Sequence, residues 1–124
     1  MEAKLVDASV LAAWAFGEPR ASEAREILSG ARLYAPRLMG YELAHVAVKK
    51  IERHPELQTQ ILEALGLALR LAIRWVDVDH QEVTRLALQE NLTAYDASYL
   101  HASRALGIAL ATFDRLLARR AAER

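Results

Sequence analysis

The sequence predicts an α/β fold in which helices cover a mostly parallel β-sheet. Four short apolar runs alternate with longer segments whose apolar residues recur at helical spacing. Together they give the order β-α-α-β-α-α-β-α-α-β-α, which is typical of parallel strands joined by helical crossovers. Because the chain has no internal repeat and no linker-like stretch, we expect residues 1–124 to form a single domain.

The first part of the chain contains the strand around which the rest is organised. An apolar run over residues 5–7 stops on Asp7, and helix-forming residues follow at once over 8–16. A break at Gly17 separates this helix from a second short helix predicted over residues 21–28. Asp7 is therefore expected to lie at the carboxyl end of the first strand.

The middle of the chain predicts a second strand and two helices. Residues 32–35 form an apolar run before Pro36, which is well placed to open the helix predicted over 37–53. A further amphipathic helix is predicted over residues 56–71. We expect its core-facing side chains to share one helix face: Leu62, Leu65 and Leu69.

The last part of the chain predicts two more strands. Residues 73–78 alternate as a third strand, and a helix follows that continues through Gln89. Another helix is predicted over residues 93–107, where a glycine ends it. A fourth strand over 108–112 and a last helix over 115–122 complete the pattern.

The composition excludes several functional classes. Sixteen basic residues balance sixteen acidic residues, so no overall charge indicates a nucleic-acid or membrane partner. The absence of cysteine excludes disulfides, thiolate zinc sites and cysteine nucleophiles, which fits a reducing compartment. The most apolar segment, residues 65–75, contains Arg70 and Arg74 and is too short and too charged to span a membrane. We therefore expect a cytoplasmic protein.

Four acidic residues stand out by their positions in this pattern: Asp7, Glu42, Asp96 and Asp114. Asp7 and Asp114 follow the first and last strands, whose carboxyl ends share one edge of a parallel sheet. Glu42 lies early in the helix after the second strand, and Asp96 lies in the first turn of the helix before the fourth. With right-handed crossovers we expect the four carboxylates to converge at that edge.

A cluster of carboxylates favours a bound cation, because like charges that lie close together repel and raise one another's pKa. Oxygen ligands without cysteine or a histidine pair favour Mg²⁺ or Mn²⁺ over zinc. A metal in an acidic pocket suits cleavage of phosphodiester bonds, since it lowers the pKa of water and stabilises charge on the leaving oxygen.

Helix capping is a structural alternative for three of these acids. Asp7 and Asp114 stand where N-cap residues stand, and Asp96 is the fourth member of a capping box that would begin at Thr93. Glu42 is the least readily explained in this way, because it lies among apolar residues and a partly buried carboxylate requires a partner. Spacing alone leaves capping and metal binding both open.

Each of the four acids lies within a short motif. The motifs are Val6-Asp7-Ala8-Ser9-Val10, Tyr41-Glu42-Leu43-Ala44, Thr93-Ala94-Tyr95-Asp96-Ala97 and Ala111-Thr112-Phe113-Asp114-Arg115. In this order and with this spacing they resemble the acidic motifs of PIN-domain ribonucleases, and among these the small VapC-type toxins of toxin–antitoxin pairs. The resemblance extends over residues 4–117.

The resemblance implies a three-layer α/β/α fold with a mostly parallel central sheet of four or five strands. It also implies an endoribonuclease that depends on Mg²⁺, with Mn²⁺ as a substitute ion. The residues that match the family's metal-binding and catalytic acids are Asp7, Glu42, Asp96 and Asp114. The implied partners are an RNA substrate, a small cognate antitoxin and a second copy of the chain, with no membrane.

Two further details concern the neighbourhood of the acids. Thr112 matches the polar residue beside the family's last acid, so the resemblance implies a supporting role in the site, and Ser9 is a weaker candidate of the same kind. Leu116 and Leu117 follow the last motif, where some relatives carry another acid. This departure leaves the number of bound metals open.

Two rival functions remain open from the sequence. One rival is a different metal-dependent phosphohydrolase, such as a haloacid dehalogenase-type phosphatase, which also has an acid at the end of its first strand. That class requires a second Asp two residues later, where this chain has Ser9. A non-catalytic PIN-like module would keep the fold and act through protein contacts, with its acids serving as caps. Binding of Mg²⁺ or Mn²⁺ in solution discriminates between this non-catalytic module and a metal-dependent enzyme.

Overall fold

The computed structural model describes residues 1–123 as a four-stranded parallel sheet and seven α-helices. The strands are β1 (Ala3–Val6), β2 (Arg32–Pro36), β3 (Ile73–Val76) and β4 (Ala109–Ala111). The helices are α1 (Ala8–Ala15), α2 (Ala21–Leu28), α3 (Leu38–Arg53), α4 (Gln58–Leu69), α5 (His80–Glu90), α6 (Ala94–Leu106) and α7 (Arg115–Ala122), with a 3-10 turn, Pro55–Leu57, before α4. This is the predicted order of elements, and the predicted α/β class is confirmed.

The sheet has the strand order β3-β2-β1-β4, and all neighbouring strands are parallel. Lys4 of the central strand lies opposite Leu33 on one side and Ala109 on the other. The chain moves outward from β1 to β3 and then returns to the other side of β1, so the order reverses between β1 and β4. In open α/β sheets, ligands bind beyond the carboxyl ends of the strands at such a reversal.

Helices cover both faces of the sheet. Helices α1 to α4 contact one another, and α5 to α7 form a second group in which α6 lies against β1, β2 and β4. Right-handed crossovers account for this division, because the last crossover runs across the sheet in the direction opposite to the first two. The result is the three-layer α/β/α arrangement that the sequence led us to expect.

The predicted core face of α4 is wrong by one residue. The buried side chains of this helix are Ile61 and Ala68, whereas Leu62 and Leu69 remain 49% and 39% exposed. Leu65 is half-buried and packs against the main core. Nearly every position from Ile61 onward is apolar, so the sequence pattern does not determine which face of the helix is buried.

Element boundaries differ little from the prediction. Strand β3 ends at Val76, and Asp79 then acts as the N-cap of α5, where it accepts hydrogen bonds from the amides of Gln81 at 3.0 Å and Glu82 at 3.1 Å. Within residues 1–123, no helix is both long enough and apolar enough to cross a membrane.

Candidate active site

Asp7 lies at the carboxyl end of the central strand and begins α1 as its N-cap. Its amide extends the pairing of β1 with β4 by donating to the carbonyl of Ala111 at 3.2 Å. Its Oδ1 atom accepts from the amides of Ser9 at 3.0 Å and Val10 at 3.4 Å. The capping role is therefore present, but these capping bonds use only one of the two carboxylate oxygens.

Two hydroxyl groups connect Asp7 to the segment that follows β4. Ser9 Oγ donates to Asp7 Oδ1 at 2.6 Å and accepts from the amide of Phe113 at 2.9 Å. Thr112 Oγ1 donates to Asp7 Oδ2 and accepts from the amide of Asp114 at 3.0 Å. These bonds join the ends of two neighbouring strands and hold the buried Asp7 carboxylate in one orientation.

Asp114 lies on the exposed side of this network. It is the N-cap of α7, and its Oδ1 atom accepts from the amide of Leu117 at 2.8 Å. This is the capping role that the sequence left open as an alternative, and the side chain is exposed to solvent.

Glu42 lies in α3 and is half-buried beside the ends of the strands. The hydroxyl of Tyr99, which is buried in α6, donates to Glu42 Oε1. Burial raises the pKa of the Tyr99 hydroxyl, and the bond to Glu42 raises it further, so this group remains a donor. Sequence reasoning missed Tyr99. The available signal was its position one helical turn after Asp96, on the same helix face.

Asp96 lies in the first turn of α6 and is half-buried. Thr93 is the N-cap of this helix, and its hydroxyl accepts from the Asp96 amide at 3.1 Å. Within residues 1–123, no hydrogen bond returns from the Thr93 amide to the Asp96 carboxylate. The reciprocal capping box is therefore incomplete, and capping does not account for the acidic side chain at this position.

The four acids influence one another electrostatically. Burial is the largest cause that raises the pKa of Asp7, Glu42 and Asp96 above their ordinary values. The charges of Asp96 and Asp7 raise the pKa of Glu42 further, and those of Asp114 and Asp7 do the same for Asp96. Such coupling requires proximity, so the carboxylates predicted to converge lie around one space at the reversal of strand order.

The chemistry of this cluster fits a hard divalent cation better than a soft one, because carboxylate and hydroxyl oxygens dominate it. Among residues 1–123, however, no group of three or more acidic or histidine side chains is already arranged to hold a metal ion. An ion bound here would therefore be held by one or two of these side chains, or by more of them after their side chains rotate toward the ion.

A cavity of about 740 Å³ opens beside the acids. Ser9 and Glu42 line it where it meets the cluster. The rest of its wall is largely aromatic and apolar and comes from four separate parts of the chain. Its larger side chains include Tyr41, His45, Tyr95 and Phe113.

Two solved structures have folds similar to that of this chain. Among curated proteins, none matches this chain significantly. The crystal structure of PAE2754 from Pyrobaculum aerophilum is 28% identical with a TM-score of 0.75, and the match covers 94% of this chain and 82% of that chain. The structure of Mycobacterium tuberculosis VapC20, a sarcin–ricin loop cleaving toxin, is 16% identical with a TM-score of 0.73, covering 94% of both chains.

The family comparison covers nearly the whole chain. Residues 4–123 match the model described as the PIN domain. The predicted family is thereby confirmed: the chain belongs to the PIN-domain family, whose members are generally nucleases that use a divalent metal.

Proposed function

We propose that this chain is a metal-dependent endoribonuclease that cleaves RNA phosphodiester bonds and acts as the toxin of a toxin–antitoxin pair. The observation that carries the proposal is the gathering of four acids beyond the carboxyl ends of β1 and β4, where burial raises the pKa of Asp7, Glu42 and Asp96 and neighbouring carboxylate charges raise it further for Glu42 and Asp96. Membership in a family of nucleases supports the same activity.

In this proposal Asp7, Glu42, Asp96 and Asp114 hold Mg²⁺, with Mn²⁺ as a substitute ion. Carboxylate oxygens are the ligands that these cations prefer, and a cation offsets the repulsion within the cluster. When bound, the ion lowers the pKa of water and stabilises negative charge on the leaving oxygen.

The remaining residues hold the acids in the ionised form and in place. Hydrogen bonds from Ser9 and Thr112 lower the pKa of Asp7 against the effect of burial. The hydrogen bond from Tyr99 does the same for Glu42. A buried carboxylate needs such donors to remain charged near neutral pH, and a charged carboxylate is the form that binds a cation.

The toxin part of the proposal is supported by the similarity of fold to VapC20. A free ribonuclease would harm its own cell, so we propose a small antitoxin that crosses the acidic cleft. An arginine from that antitoxin would pair with the carboxylates in two parallel hydrogen bonds. Copurification with the product of the adjacent small reading frame, and inhibition of cleavage by it, tests this partner.

We also propose a homodimer. Leu62 and Leu69 lie seven residues apart on one face of α4, and both are substantially exposed. A second copy of the chain would cover this apolar face.

The nuclease activity is tested by incubating single-stranded RNA with the wild type in Mg²⁺, in Mn²⁺ and in EDTA. We expect cleavage with either metal and none in EDTA. Asp7→Asn keeps the shape of the side chain but removes its charge, so cleavage should fall by about 100-fold or more. Equal cleavage by Asp7→Asn, purified in the same way, would assign the activity to a contaminant.

One rival has specific support. Asp7 and Asp114 both serve as N-caps, and no group of three acids in residues 1–123 is already arranged for a metal. These facts favour a non-catalytic protein-interaction module in which the acids are structural. Such a module would bind its protein partner without binding Mg²⁺ or cleaving RNA.

A further inference from the structure

We propose that the cavity beside the acids is a nucleobase-binding subsite in which Tyr41 and Tyr95 stack on bases of a single RNA strand. This inference rests on the proposed ribonuclease function and adds the part of the substrate that is recognised next to the cleaved bond.

The first observation is the exposure of two aromatic rings at one place. Tyr41 is 82% exposed and Tyr95 is 64% exposed, and they are the only aromatic residues among the exposed large apolar side chains of residues 1–123. They come from different helices, α3 and α6, yet both line the same cavity. Exposed apolar surface concentrated in a cavity is typical of a binding site.

The second observation is continuity with the acids. Tyr41 directly precedes Glu42, and Tyr95 directly precedes Asp96. Glu42 lies in both the cavity wall and the acidic cluster. A base attached to a phosphodiester held at the acids would therefore be next to these two rings.

The third observation concerns which part of RNA the cavity can accept. Glu42 lines it and would repel a phosphate, whereas a base presents a flat face to the tyrosine rings. Glu18 also lines it, but its charge and that of Lys50 offset each other, because the Lys50 ammonium group lies 2.8 Å from the Glu18 carboxylate.

The cavity also contains a group able to bond a base edge. His45 lies one helical turn after Tyr41, on the same face of α3, and it lines the cavity. Phe113 is half-buried, and Arg20 covers one face of its ring, with the guanidinium 3.8 Å from the ring centroid. The two tyrosines are therefore the more accessible rings for stacking on bases.

The experiment measures binding of two fluorescent probes in EDTA, where cleavage is absent. One probe is a mixed-sequence single-stranded RNA, and the other is a ribose–phosphate chain of the same length without bases. Tyr41→Leu and Tyr95→Leu should each weaken binding of the RNA by about 5- to 150-fold and leave binding of the abasic probe unchanged. Tyr41→Phe and Tyr95→Phe should stay within about twofold of the wild type, because they keep the ring.

Leu88→Ala is the matched control, since Leu88 is 81% exposed on α5 and does not line the cavity. It should bind both probes as the wild type does. The inference is overturned if the wild type shows no preference for the RNA over the abasic probe, or if the Leu variants keep full RNA affinity. It is also overturned if the Leu variants lose only a protein partner, which would assign the cavity to that partner.

The two proposals fail in different ways. If the chain is not a ribonuclease, the wild type does not cleave RNA in Mg²⁺, even if it binds RNA. If the subsite is wrong, the wild type and Tyr41→Leu cleave RNA with the same KM.

Discussion

The hydroxyl of Thr112 donates a hydrogen bond to the carboxylate of Asp7, although 105 residues separate the two in sequence. The same oxygen accepts from the amide of Asp114 at 3.0 Å. One hydroxyl thus sets the position of one acid side chain and the backbone of another, at the point where the strand order reverses between β1 and β4.

Thr112→Val removes this hydroxyl while keeping the shape of the side chain. We expect the free energy of unfolding to fall by about 1–3 kcal/mol, because the buried Asp7 carboxylate loses a donor. RNA cleavage should fall as well, since Asp7 is no longer fixed. Urea unfolding and a cleavage assay measure the two effects. Thr112→Ser keeps the hydroxyl and is the control; if it behaves as Thr112→Val does, the hydroxyl has no positioning role.

Tyr99→Phe tests the support of Glu42 from the core. The ring still fills its buried position, but Glu42 loses the hydrogen bond that lowers its pKa. We expect a loss of about 1–3 kcal/mol in the free energy of unfolding. A double-mutant cycle with Glu42→Gln should give a coupling energy of about 0.5–3 kcal/mol. Additive effects of the two substitutions would mean that the contact contributes nothing.

The stability of the metal-free protein should decrease as the pH rises above about 4. The pKa values of Asp7, Glu42 and Asp96 are raised in the folded state above their ordinary values of 3.8 for Asp and 4.5 for Glu. Between the ordinary and the raised values the folded state binds more protons than the unfolded state, so stability is lost as the pH rises through this window. Urea unfolding in EDTA at a series of pH values measures the slope.

Asp96→Asn isolates the contribution of one of these groups. It removes a charge that is disfavoured first by burial and then by the charges of Asp114 and Asp7, so the decrease in stability with rising pH should be smaller than in the wild type. At neutral pH the variant should be as stable as the wild type or up to about 1 kcal/mol more stable, while cleavage is lost. An equally steep pH dependence would show that neither burial nor the neighbouring charges raise the pKa of the Asp96 carboxylate in the folded state.

Leu62→Glu tests the proposed dimer. A charge in the middle of an apolar interface is costly, so the variant should be monomeric at concentrations where the wild type sediments as a dimer. Leu88→Glu places the same charge on α5, at a side chain that is also exposed, and should leave the dimer intact. A wild type that is monomeric in analytical ultracentrifugation would contradict the proposal directly.

The fold was predictable because local and long-range patterns agree along most of the chain. The acid at the end of the first strand and the left-handed Gly107 at the end of α6 both stand where the sequence placed them. The buried face of α4 was not predictable, because its apolar residues surround the helix. The sequence also indicated which acids lie near one another, because each of them either follows a predicted strand or lies near the start of a predicted helix.

The partners of the acids were not predictable in the same way. Tyr99 and Glu42 are 57 residues apart, and their hydrogen bond depends on how two helices from different layers, α3 and α6, meet at the ends of the strands. Likewise, the sequence could not separate capping from other roles at Asp96. That distinction depends on whether the Thr93 amide reaches the carboxylate, which only side-chain geometry decides.

The most direct test of the account is the binding of Mn²⁺ to the metal-free protein, measured by isothermal titration calorimetry for the wild type and for Asp96→Asn. The wild type should bind the ion, and Asp96→Asn, still folded, should bind it at least about tenfold more weakly. Binding should also raise the free energy of unfolding, by about 2.7 kcal/mol at a free ion concentration 100 times the Kd. A wild type that binds no Mn²⁺ at millimolar concentration, or an Asp96→Asn variant that binds it equally well, would contradict a metal site built from these four acids.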